Sequence, residues 1–145
     1  MKAILVIGLL VALSADKASS GCLGKWLMID DEAGNKKSVI NLYKKGEKLF
    51  GDIIYLYPKK GRSDNPVCSK CDDDRKGKYW VGMQVIRDMK WSGSSWVGGN
   101  ILDPLTGNTY SAKFWLSKNN KDVLFVRAYL GPLYRTQSWL RVPTK

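Results

Sequence analysis

The chain has 145 residues, enough for one domain with a single modest core. Lysine and arginine total 24 against 13 acids, a formal charge of +11 that attracts polyanions in general. Histidine is absent, so neither a Ser-His-Asp nor a Cys-His nucleophile can be assembled.

Met1-Lys2 and the apolar run Ala3 to Leu13, followed by the small residues Ser14 and Ala15, have the pattern of a secretory signal over residues 1–15. The run is too short to span a bilayer. Cleavage near Ser14 or Ala15 leaves a tail over 16–23 and a single domain over 24–145 in the periplasm or outside the cell. Cys22 lies nine residues beyond Leu13, too far for the usual lipid attachment. Export makes nucleic acid a poor partner and leaves anionic glycans and lipid head groups. The lysines serve equally well as solvated strand faces.

Gly24 to Asp30 reads as the first strand, and Ser38 to Tyr43 as the second. The third, Leu49 to Tyr57, is stopped by Pro58. A polar stretch from Lys59 to Lys78 follows; so long a segment without periodicity is usually functional or disordered. Tyr79 to Arg87 is expected as strand four, Asp88 to Ser95 as its connection, and Trp96 to Leu102 as strand five. The Gly98-Gly99 pair predicts a bulge. Asp103 to Asn108 is a turn. Strand six (Thr109 to Leu116), strand seven (Val123 to Leu130) and a final strand (Thr136 to Val142) complete the series. No stretch has a sustained helical period.

The expected fold is all-β: eight hairpin-linked strands in an up-and-down antiparallel barrel, closed by pairing the last with the first. An interior of this size is either filled by side chains or holds one small ligand.

Gly24-x-Trp26 on the first strand, with an arginine on the last, is similar to the signature of the calycins, which include the lipocalins. In that group the tryptophan plugs the closed end and the cation covers its ring. More of the chain resembles a bacterial family of exported, uncharacterised calycin-like barrels. The resemblance runs through Gly24-Lys-Trp26, Leu49-Phe-Gly51, Cys68-Ser-Lys-Cys71 and Asp74-Arg-Lys-Gly-Lys78. It continues through Gly99-Asn-Ile-Leu-Asp-Pro104, Val126-Arg-Ala-Tyr-Leu-Gly131 and Arg135-Thr-Gln-Ser-Trp139. It implies the fold, and no agreed activity comes with it.

If Trp26 marks the closed end, the loops after strands one, three, five and seven lie at the opposite mouth. The long segment with the cysteine pair then sits there, rimmed by aromatics, with Arg62, Arg75 and Arg135 close enough to meet an anionic head. The last strand returns to the closed end, so Arg141 is better placed than Arg135 to cover Trp26. Alternation points Tyr110, Phe114 and Leu116 inward on strand six, and Leu124, Val126 and Ala128 on strand seven. Met28 follows Trp26 inward. The candidate ligand-binding residues are therefore Tyr110, Tyr57, Trp80, Phe114, Met28 and Val126, with Tyr110 first.

Closed end and mouth are separated by about 20 Å of strand, beyond the Cα spacing a disulfide tolerates. Cys68 and Cys71 should therefore pair, leaving Cys22 free or linking two chains. The Cys-x-x-Cys lies in a non-helical loop beside three aspartates, a poor setting for a reactive thiolate, so a structural disulfide is favoured over an oxidoreductase. Asp72 to Asp74 lacks the spacing of a calcium loop. No metal or other cofactor is implied.

The reading is thus an exported, non-enzymatic protein, monomer or dimer, holding a small apolar or amphipathic ligand. Its rival is a cationic interaction protein with a filled barrel, binding anionic glycan or lipid.

Overall fold

A computed structural model describes residues 18–144. The secretory signal expected over 1–15 lies outside them. Eight strands run β1 (Gly24–Ile29), β2 (Lys36–Lys45), β3 (Lys48–Leu56), β4 (Gln84–Trp91), β5 (Trp96–Asp103), β6 (Asn108–Leu116), β7 (Val123–Leu130) and β8 (Leu133–Arg141). Each pairs antiparallel with its sequence neighbour, and β8 pairs with β1, giving the closed up-and-down barrel that the strand series predicts.

Closure rests on a short seam. Only Trp26↔Arg141 and Leu27↔Leu140 are in register between β1 and β8, extended by the Val142 amide donating to the Lys25 carbonyl at 2.9 Å. All other neighbouring strands share four or more residue pairs. What holds this seam therefore matters more than at any other strand pair.

Strands four and eight differ most from expectation. Strand four does not run from Tyr79 to Arg87 but from Gln84 to Trp91. Tyr79 makes only an isolated bridge to Val67, and the turn ending at Met83, whose amide donates to the Trp80 carbonyl, keeps this stretch out of the ladder. At the other end the strand continues through Asp88, which takes a positive φ of 61° and bulges instead of turning. The true turn is Ser92 to Ser95. Strand eight starts at Leu133, because Gly131-Pro132 alone turns the hairpin and Gly131 has the required positive φ of 58°.

The bulge at Asp88 faces Gly98-Gly99, where the β5–β6 register also shifts. A Cβ on Gly99 would collide with the Arg87 carbonyl, so this crossing needs glycine. Along the remaining strands the apolar alternation holds. Ile40 and Leu42, Ala112 and Phe114, and Leu124 and Val126 are all buried.

Candidate functional site

The closed end is solid. Trp26, Trp96, Trp139, Phe114, Leu42, Leu49, Met89 and Leu124 are all fully buried there, with Phe114 and Trp139 rings 6.0 Å apart. Residues 18–23 lie under this plug: Trp26 Nε1 donates to the Cys22 carbonyl at 2.9 Å, and Trp96 Nε1 to the Ser19 carbonyl at 3.2 Å. The Arg141 guanidinium stands 4.3 Å from the Trp26 ring centroid. It donates to the carbonyls of Gly21 (2.7 Å), Leu23 (3.2 Å) and Lys121 (3.0 Å), and to the Asp122 carboxylate (3.1 Å). One side chain thus fastens β8, β1, the preceding segment and the 117–122 turn together. Cys22 is free and buried, and burial pushes its thiol up to about 11. A thiol so placed is unable to link two chains without opening the floor.

Above the plug the barrel is open. A cavity of about 520 Å³ lies at the mouth, lined by Met28, Ile101, Tyr110, Val126, Ala128 and Gln137 on its barrel side. Leu130, Leu133, Tyr134 and Arg135 line its rim, and Leu130 and Leu133 are 63% and 68% exposed. Register explains the set. Tyr110 faces Ile101 across β5–β6, while Val126↔Gln137 and Ala128↔Arg135 continue the inward row that passes through Leu124↔Trp139. Arg135 is held at the rim by Asp31, 3.1 Å away.

The six candidate ligand-binding residues divide three ways. Met28, Tyr110 and Val126 share the barrel cavity. Tyr57 and Trp80 line a second cavity, of about 580 Å³, between the β2 and β3 ends and the long segment that follows β3. Phe114 lines neither; it belongs to the filled half. Sequence reasoning passed over Ile101, Gln137 and Leu133. The signal was available for the last two: counting back in steps of two from Trp139 gives Gln137, Arg135 and Leu133 on one face.

The segment between Leu56 and Gln84 is docked. Cys68 and Cys71 form a disulfide, both buried, and Cys68 Sγ lies 3.3 Å from the Pro104 carbonyl oxygen in the β5–β6 turn. Gly107, at φ 78°, lies so close that a Cβ there would strike the Lys70 carbonyl. Because the disulfide closes so short a loop, its reduction should lower stability by only about 2 kcal/mol. Denaturant titration of Cys68→Ser/Cys71→Ser against the parent checks this, and a loss of the cooperative transition would contradict it.

Arg75 is not the rim cation expected from sequence. It is buried, donating to Asp73 (2.6 Å) and to the Gln84 carbonyl (2.9 Å), so it ties the segment to β4 instead of facing a ligand. Asp74 is taken up by Arg87, at 2.8 Å through both carboxylate oxygens. Hydrogen bonding from Arg87 holds the Asp74 carboxyl down at about 2, and that from Arg75 holds Asp73 below its usual range. A carboxylate depressed in the fold contributes stability above its unfolded value and loses it as pH falls through the folded one. The Asp74–Arg87 clasp should therefore be complete above about pH 4 and open as the pH falls towards about 2. NMR titration of the Asp74 carboxyl checks this; a midpoint near that of a free aspartate would contradict it.

A closed eight-stranded meander, plugged by a tryptophan under an arginine and open at the other end, defines a calycin-like barrel. A solved structure from the human pathogen Helicobacter pylori, of a protein described as belonging to the lipocalin family, superposes with a TM-score of 0.67. The match covers 83% of this chain and 82% of that one at 16% identity, and so speaks to fold. Residues 24–141 match the family described as an uncharacterized protein conserved in bacteria, DUF2147, and the chain belongs to that family. No functionally curated protein matches it in sequence.

Proposed function

We propose that this protein is a non-enzymatic carrier that holds a small apolar or amphipathic ligand in the mouth of its barrel. The observation that carries the reading is the cavity of about 520 Å³ above the tryptophan plug, walled by Met28, Ile101, Tyr110, Val126 and Ala128. Its volume falls in the range of small-molecule sites, and its barrel side is mostly apolar, with Lys37, Asp103 and Arg135 as the charged groups around it. A barrel filled along its whole length would leave only a cationic exterior to act, so the cavity favours the carrier over the interaction protein.

Two features weigh against redox catalysis. Cys68 and Cys71 are 0% and 2% exposed, out of reach of a substrate disulfide. Cys22 is buried with its thiol held protonated. The disulfide is also consistent with a compartment outside the cytoplasm. Among the described residues no helix is long and apolar enough to cross a membrane. Together with the leader-like residues 1–15, the disulfide supports a periplasmic or secreted protein.

Native mass spectrometry of protein purified from its own host tests the carrier directly. The expected result is a retained small molecule that organic extraction removes and returns in identifiable form. Protein that carries nothing, and that takes up no acyl-chain probe after delipidation, would overturn the reading.

A further inference from the structure

The second cavity has a different character from the first. Lys36, Lys37, Lys59, Lys60 and Arg62 line it, against the single carboxylate of Asp30. Asp30 is already engaged, accepting the Glu32 amide at 2.9 Å, and that bond leads the causes that hold its carboxyl below the usual range. None of the four lysines forms a salt bridge among the described residues, although five ion pairs occur elsewhere on the barrel. Aromatic rings hold two of these cations without neutralising them. Lys36 Nζ is 5.8 Å from the Tyr57 ring centre, and the Arg62 guanidinium is 5.5 Å from that of Trp80. Arg62 is further fixed by donating to the Tyr57 carbonyl at 2.8 Å.

Trp80 is buried and forms part of this cavity's wall. Cations in excess around a semi-enclosed space call for an oxygen-rich anion. Lys37 lines both cavities, so they adjoin there. One molecule can therefore lie with an apolar body in the barrel and a charged head among the lysines.

We infer that the second cavity is a head-group site for a phosphate-bearing amphiphile, with Lys36, Lys37, Lys59, Lys60 and Arg62 facing the anion. The count of five cations against one occupied carboxylate fits a multiply charged phosphate better than a single carboxylate. The inference rests on the carrier reading for the apolar body, but apart from Lys37 the anion site is built from different residues.

Dodecyl phosphate and dodecanol, which differ only in the head, separate the two ideas in equilibrium binding to the full mature chain. At low salt the phosphate should bind at least about tenfold more tightly. Lys59→Ala/Lys60→Ala should remove most of that preference and leave dodecanol unchanged. Inorganic phosphate in excess should compete with dodecyl phosphate and not with dodecanol, which assigns the phosphate to this cavity. Equal binding of both probes would overturn the head-group site while the carrier stands. Lysine-dependent binding of dodecyl and inorganic phosphate without any binding of dodecanol would support the anion site and remove the carrier. Failure of both alkyl probes would overturn both.

Discussion

Trp26→Ala is expected to destabilise the protein by about 3–5 kcal/mol, the scale for deleting a fully buried large aromatic. The ring is 0% exposed, fills the closed end, and its Nε1 holds the Cys22 carbonyl. Its loss opens a cavity beneath the shortest seam of the sheet, where β1 and β8 share only two register pairs. Arg141→Ala should cost about 2 kcal/mol, in line with hydrogen bonds from a charged donor to backbone and carboxylate. The guanidinium lies over the indole, so the two substitutions should not add; a cation–π coupling of about 0.5–2 kcal/mol is expected in a double-mutant cycle. Chemical denaturation of the four proteins supplies the cycle. Strict additivity would mean that Arg141 acts only through its carbonyl partners.

The second large effect concerns ligand. Tyr110→Ala removes a side chain from the wall of the barrel cavity and should weaken a bound lipid by about 1–3 kcal/mol, the worth of one buried apolar side chain. The fold should survive, because Tyr110 is only partly buried and stands above the packed layer of Ala112 and Phe114. Ala128→Trp works in the opposite sense. It places a bulky ring in the same cavity from β7, opposite Arg135, and should abolish binding with little change in stability. The pair distinguishes a site from a surface effect, since both variants leave the net charge unchanged.

Fold and site were legible to different degrees. The period-two alternation on β6 and β7, with turn residues between strands, specifies an antiparallel meander directly. Those two strands and the residues they turn inward are observed as read. The β4 boundary was hidden because Tyr79-Trp80-Val81 has strand composition, while its placement is set by tertiary contacts. The Gly82 amide donates to the Ile53 carbonyl and the Trp80 amide to the Pro66 carbonyl, which fold this stretch over the mouth. The Asp88 bulge was hidden for a related reason: it answers a glycine pair on the neighbouring strand, and one strand alone does not reveal it.

The site was half visible. Strand alternation finds inward residues but not depth along the axis, so it groups Phe114 with Tyr110 although Phe114 lies four residues further along β6, in the filled layer. Arg75 looked like an available cation because its partners, Asp73 nearby and the Gln84 carbonyl, are fixed by a loop path with no period. The cationic cavity was invisible for the same reason. Its lysines come from β2 and from the segment after β3, and only the closed fold brings them together.

Saturation binding of a fluorescent fatty acid to the delipidated protein, in parallel with Ala128→Trp, tests the central claim most directly. The account predicts one site per chain on the parent protein, lost in the variant, with apolar binding that persists from low to physiological salt. Binding that is absent from the parent, or that Ala128→Trp leaves unchanged, would contradict the claim that the barrel mouth holds the ligand.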